Sequence, residues 1–194
     1  MVSLMQKIVL ASQSPRRKQL LEWAELSFEI LTVPTDETFP AEMAVEEVPV
    51  YIAREKCAAV MQQFPGRGVY LAADTIVVLD NEVIGKPANE EAACETLRRL
   101  SGREHRVITG VVIRSGEREI GFADTSLVRF HALSEDQIRF YVEKYKPFDK
   151  AGAYAIQEWI GVVGIQAVQG DFYNVMGLPV SRVVQALAAL EKGD

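Results

Sequence analysis

Apolar residues along the chain fall into short runs that alternate with stretches of helical spacing. Lys7 to Ala11 (KIVLA) is an apolar run bounded by Ser12, the pattern of a buried strand. Ser14 and Pro15 then stand where a helix N-cap and first helical residue belong, ahead of RRKQLLEWAEL with Leu20, Leu21, Trp23 and Ala24 on one face. Phe28 to Val33 alternates as a second strand. Residues 34–47 break the pattern: Asp36, Glu37, Glu42, Glu46 and Glu47 occur there with prolines and no base, as in a loop or a helix entrance. Pro49 opens the next helix, PVYIAREKCAAVMQQF, and Pro65-Gly66 stops it. Val69 to Leu79 is strand-like throughout, and Asp80-Asn81 turns the chain into a short return, EVIGKP.

The second half continues the alternation. Asn89 caps a helix with Glu90 and Glu91 in its first turn, Arg98 and Arg99 in its last and Gly102 beyond, so its charges match the helix dipole. Two long strand patterns between Glu104 and Phe130 flank Ser115-Gly116 as a hairpin. Ser134 and Gln137 form a capping box for SEDQIRFYVEKY, which Pro147 ends. Residues 149–180 are rich in glycine and β-formers, and Ser181 to Lys192 supplies a last helix. Strands and helices alternating early, with a hairpin in the middle, predict an α/β or α+β mixed sheet flanked by helices.

Composition narrows the function classes. A chain of 194 residues is one domain over 1–194, or two closely fused lobes, and buries roughly 70% of its unfolded surface without a metal or disulfide staple. With 48% hydrophobic and 25% charged residues, wholesale disorder is excluded. The 21 Lys+Arg against 27 Asp+Glu leave a net charge of −6, which excludes a generic nucleic-acid binder and requires a local basic cluster for any polyanion. Residues 1–11 are too short in apolar core for a signal peptide, and no stretch approaches the ~20 apolar residues of a membrane span, so a cytoplasmic protein without membrane contact is expected. Cys57 and Cys94 lie among Ala and Leu as small buried hydrophobes, and His105 and His131 lack a second histidine at ligand spacing.

Four stretches carry candidate chemistry. Ser12-Gln13-Ser14-Pro15-Arg16-Arg17-Lys18 joins a strand end to a helix N-terminus, where free N–H groups, hydroxyls and cations favour a phosphate over a plain N-cap. It is neither a Walker A loop nor a GxGxxG. Asp74 interrupts an apolar strand, a costly place for a charge unless it is paired, bound to metal or closing a turn. A hairpin at Asp80-Asn81 would bring Lys86 near Asp74, as a phosphate ligand or as the partner of the acid, the alternative being an exposed surface lysine. Lys150 to Gln157 (KAGAYAIQ) combines small residues with Gln157, whose amide suits either a turn or a base edge.

In order, these motifs resemble the Maf family of nucleotide pyrophosphatases, most closely its dTTP/UTP branch. The pieces are Leu10 to Arg17, Ala53-Arg54-Glu55-Lys56, Ala73 to Val77, Gly85-Lys86-Pro87, Leu100-Ser101-Gly102, Lys150 to Gln157 and Gly177-Leu178-Pro179. The resemblance implies a house-cleaning hydrolase that cuts a nucleoside triphosphate between its α- and β-phosphates with a divalent metal, Mg²⁺ or Mn²⁺. It implies an elongated mixed sheet with two lobes and a central cleft, similar to the inosine-triphosphate pyrophosphatases, and a homodimer. It makes Asp74 the proton acceptor, and Arg16, Thr75 and Gln157 the specificity positions. Ser12, Arg17, Glu37, Lys56 and Lys86 become residues lining the site, with Glu37 and Asp74 available to the metal.

Pro15-Arg16-Arg17 and Ile156-Gln157 side with the pyrimidine branch against the family's 7-methyl-GTP branch. One position departs from the pattern: Glu158 follows Gln157 where glycine is frequent, and residues 158–170 diverge after it. Two other classes compete, a nucleotide-binding regulator of cell division without turnover and a nucleotidyl or phosphosugar transferase. Multiple turnover separates hydrolase from regulator, and the transferase needs a second-substrate site that no motif supplies.

Overall fold

A computed structural model describes residues 7–192, so the opening part of the leader reading and the last two residues of the expected domain lie outside it. The elements run β1 (Ile8–Leu10), α1 (Pro15–Trp23), β2 (Phe28–Ile30), α2 (Val48–Gln63), β3 (Val69–Leu79), β4 (Glu82–Ile84) and α3 (Glu90–Leu100). There follow β5 (Glu104–Ser115), β6 (Arg118–Phe130), α4 (Glu135–Tyr145), a 3-10 turn (Ala151–Ala153), α5 (Trp159–Gly164), β7 (Ile165–Gln169), α6 (Phe172–Met176) and α7 (Val180–Lys192). The strands form one mixed sheet in the order β2-β1-β3-β5-β6-β7, with β4 pairing β3 beside that path. β1 runs parallel to both neighbours, Ile8 opposite Phe28 and Val69, whereas β3 and β4 are antiparallel with Val77 opposite Ile84. The expected mixed sheet flanked by helices is therefore the fold. No helix among the described residues is long and apolar enough to cross a membrane.

The chain packs as two compact units. The first takes residues up to Asp74, Thr109–Asp124 and Gly177 onward; the second takes Thr75–Ile108 and Thr125–Met176. In the first, Ala53, Cys57 and Val60 follow each other at helical spacing on α2 and pack with Val9, Ala11, Tyr70, Ala72 and Val112 of the strands. The first turn of α2 comes so close to β5 that a Cβ on Gly110 would stand 2.2 Å from the Pro49 carbonyl carbon. In the second unit, α3 packs on α4 and on the 3-10 turn. His105, Phe130 and Tyr154 form an aromatic trio there, with centroids 5.1 to 5.6 Å apart.

Most punctuation read from the sequence is where it was expected. Ser14, Asn89 and Ser134 cap their helices through side-chain oxygens, and Ser134 with Gln137 makes the capping box. Asp80 and Asn81 both take positive φ, 50° and 65°, as a tight two-residue hairpin requires. Three expectations are corrected. The strand expected over residues 28–33 ends at Ile30, because β1 is only three residues long and its ladder stops at the bond from Leu31 N–H to Leu10 O, 3.2 Å. The buried face of α1 is Arg17, Leu20 and Leu21, with Trp23 58% exposed rather than in the core. Residues 149–180, read as rich in glycine and β-formers, hold a single strand and three short helical turns before α7 opens at Val180.

Candidate active site

β1 delivers the chain to Ser12, and the reversal at Ser12-Gln13-Ser14 sets up α1. The Ser12 hydroxyl accepts from the Ser14 N–H at 3.2 Å, and the Ser14 hydroxyl accepts from the Arg17 N–H at 3.4 Å. Arg17 does not project into solvent with its neighbours. Its guanidinium is buried, donating through Nη1 to Ser12 Oγ at 3.1 Å and through Nε to the Gly177 carbonyl at 2.8 Å. Burial pulls its pKa below the usual range, while Asp74 and Glu37 oppose that shift and Arg16 adds to it, so all three charges act on it. Lys18 leaves the cluster: it is exposed and pairs with Glu22 one helical turn on, at 3.6 Å.

Asp74 lies on β3 among side chains that are almost all buried, and a carboxylate there requires a partner. Lys56 supplies one from α2. Its ammonium donates to Asp74 Oδ1 at 2.7 Å and pairs with Glu37 Oε1 at 2.6 Å, the acid being carried by the acidic loop. The lysine is 17% exposed and the Asp74 side chain 13%, whereas Glu37 is 46% exposed, so the triad reaches solvent through Glu37. Lys86, expected near Asp74 as a phosphate ligand or as the partner of the acid, or else as a surface lysine, belongs to the return after β4. The β3–β4 ladder pairs Val77 with Ile84, and Lys86 follows two residues beyond it, exposed.

Among the described residues no group of three or more His, Cys, Asp or Glu side chains converges as a metal cage. What converges is a pair of carboxylates sharing one positive charge, the Lys56 ammonium. Hard carboxylate oxygens gathered around a cation suit Mg²⁺ or Mn²⁺, with phosphate oxygens and water filling the remaining positions. The donor set fits such an ion.

Ser12, Arg16, Arg17, Glu37, Lys56 and Asp74 thus belong to the first unit, and Thr75, Lys86 and Gln157 to the second. Thr75 is half-buried, while Lys86 and Gln157 are exposed. Gln157 stands on a tight turn closed by the Glu158 N–H donating to the Ala155 carbonyl at 3.1 Å. Both cysteines are buried, and burial pushes the Cys57 thiol up to about 12 and raises that of Cys94, which disfavours the nucleophilic thiolate. His105 is also buried, its Nε2 2.7 Å from the Tyr154 hydroxyl, and burial holds its pKa down at about 4. Tyr141 of α4, which the sequence did not single out, is buried beneath the Gln157 turn, its hydroxyl accepting from the Ala155 N–H at 3.2 Å. Gly177 was met in the sequence only as part of a motif, not as the acceptor for Arg17.

The fold and the site together define a mixed-sheet protein with a basic helix start and a lysine-bridged carboxylate pair. The solved structure of the Staphylococcus aureus Ham1 protein shares the fold, covering 97% of this chain and 100% of its own at TM-score 0.52 and 14% identity. Residues 7–190 match the family described as Maf-like protein, and the chain belongs to that family. It is 52% identical over 180 residues to a Cytophaga hutchinsonii protein named dTTP/UTP pyrophosphatase, covering 93% of this chain and 82% of that one. A Bacteroides thetaiotaomicron protein of the same name is 46% identical over 185 residues, covering 95% and 96%.

Proposed function

We propose that this chain hydrolyses dTTP and UTP to the nucleoside monophosphate and pyrophosphate, as a single Maf-like domain that cleans the nucleotide pool. The observation that carries the reading is the Glu37–Lys56–Asp74 arrangement in a chain whose relatives are named for that activity over nearly its whole length. Cleavage of a phosphoanhydride asks for positive charge on the phosphate oxygens and a carboxylate to take a proton from water. Asp74 is that carboxylate, held in one place by Lys56. Arg16, Lys56 and Lys86 bind phosphate oxygens, and the Ser12 loop adds N–H and hydroxyl donors. Arg17 contributes its charge from a fixed, buried position and keeps the loop in shape through Ser12 and Gly177. A divalent ion held by Glu37 and Asp74 supplies charge neutralisation at the phosphates when bound. Thr75 and Gln157 read the pyrimidine.

A net charge of −6 with this local basic cluster favours a small triphosphate over nucleic acid or a membrane surface, and a cytoplasmic homodimer completes the proposal. The test is a panel of triphosphates, including ATP and 7-methyl-GTP, with Mg²⁺ or Mn²⁺. Pyrophosphate released from dTTP and UTP over many turnovers, at least about tenfold faster than from ATP, is the expected result. Binding without turnover would favour the regulator, and preference for 7-methyl-GTP would move the chain to the other branch.

A further inference from the structure

Gln157 is exposed, yet the turn that carries it is fastened from beneath. Ile156 and Gln157 are the central residues of the turn between Ala155 and Glu158, and both ends of that turn reach the same buried group. The Tyr141 hydroxyl accepts from the Ala155 N–H at 3.2 Å and donates to the Glu158 carboxylate at Oε2. Tyr141 itself is fully buried, at 0% exposure. The other carboxylate oxygen, Oε1, lies 3.6 Å from the ammonium of Lys150, a lysine only 8% exposed that also donates to Asp149 Oδ1 at 2.7 Å. A buried ammonium requires acid partners, and among the described residues Glu158 and Asp149 supply them.

Two further observations show what Glu158 is committed to. It precedes α5 as the N-cap residue, but its side chain makes no capping bond, although the first N–H groups of a helix ordinarily attract such an acceptor. Its carboxylate goes to Tyr141 and Lys150 instead. The start of α5 also presses on the turn: a Cβ on Gly161 would stand 1.8 Å from the Ile156 carbonyl oxygen, so the peptide joining Ile156 to Gln157 is held against a residue that only glycine can be.

We infer that Tyr141, Glu158 and Lys150 are positioning residues for base selection, fixing the turn that presents Gln157 to the pyrimidine of the substrate. This rests on the reading that Gln157 contacts the base. Glu158, the residue that departs from the family pattern, then acts beneath the turn and not on the nucleotide. An amide that reads a base edge discriminates only if its angle is fixed, since a mobile side chain can satisfy several edges.

The experiment measures kcat and KM for dTTP, UTP and ATP in the wild type, Gln157→Ala, Tyr141→Phe, Glu158→Gln, Glu158→Ala and the Tyr141→Phe/Gln157→Ala double variant. Gln157→Ala is expected to lower the dTTP:ATP ratio of kcat/KM about tenfold. Tyr141→Phe should lower that ratio by a similar factor, chiefly through KM for dTTP and UTP, with ATP changed by less than about twofold. The double variant should fall no further than Gln157→Ala alone. Glu158→Gln, which keeps an acceptor for Tyr141 but gives up the charge facing Lys150, should retain more of the ratio than Glu158→Ala, which should lose it. The same pair of Glu158 variants decides the matter if Tyr141→Phe does not fold. A ratio that falls in Gln157→Ala but stands in Tyr141→Phe and Glu158→Ala, or rates that drop equally for all nucleotides, overturn the positioning role alone. A ratio untouched by Gln157→Ala overturns the base-reading assignment, and the positioning role with it.

Discussion

Asp74 and Gln157 stand in contrasting surroundings. Asp74 is a charge on a buried strand, held at 2.7 Å by a lysine that also holds Glu37 at 2.6 Å. Gln157 is neutral and exposed, on a turn whose charged groups, Glu158 and Lys150, lie beneath it. Where phosphate chemistry is proposed, the charges face one another. Where base recognition is proposed, the charges are spent on fixing backbone and an uncharged amide meets the ligand. Charged groups suit an electrostatic task, and a neutral amide on a fixed turn suits discrimination between bases of equal charge.

Substitutions on the two sides should therefore fail in different ways. The largest effect is expected at Asp74: Asp74→Asn should lower kcat by about 10²–10⁴-fold for every nucleotide while the protein stays folded, as steady-state rates and circular dichroism would show. Arg17→Met removes two charge-assisted bonds from a buried guanidinium and should cost about 3–5 kcal/mol in urea unfolding. Lys18→Ala, one residue along, should change stability by less than about 0.5 kcal/mol, since among the described residues it pairs with an exposed i,i+4 acid.

Between those two falls His105, which belongs to the recognition side by unit but not by role. Its pKa is near 6.5 when unfolded and about 4 in the fold, where burial disfavours the charge. Between these values the unfolded chain binds the extra proton. Its contribution is therefore complete above about pH 6.5 and is lost as the pH falls toward 4, by about 3 kcal/mol. Unfolding of wild type and His105→Gln at pH 7 and pH 4 should differ by that amount in acid sensitivity.

Much of this was legible in the sequence wherever a local rule acts alone. Ser14, Asn89 and Ser134 cap helices because a short oxygen-bearing side chain before a helix has one main use, and Asp80-Asn81 turns because few pairs tolerate positive φ. Asp74 stood out because a charge in an apolar strand is anomalous wherever that strand lies. Arg17 was legible as part of a basic helix start, but its burial was not. An arginine at a helix start looks exposed, and only the carbonyl of Gly177, far along the chain, explains its burial. Lys56 is the one lysine of α2, ordinary by itself beside Arg54 and Glu55, and its bridging of Glu37 and Asp74 is a product of packing α2 beside β3. Residues 149–180 were opaque because elements of five or six residues are shorter than the periods that reveal them. Tyr141 had no local signal at all, being an ordinary interior aromatic until the turn it supports is in place.

The contrast between the two regions is tested most directly by one matrix of rates: wild type, Asp74→Asn and Gln157→Ala, each with dTTP, UTP and ATP. The account predicts that Asp74→Asn lowers all three by a common factor and leaves their ratio intact, whereas Gln157→Ala lowers the pyrimidine rates and spares ATP. An Asp74→Asn enzyme with near wild-type turnover, or a Gln157→Ala enzyme that loses all three nucleotides alike, would contradict it.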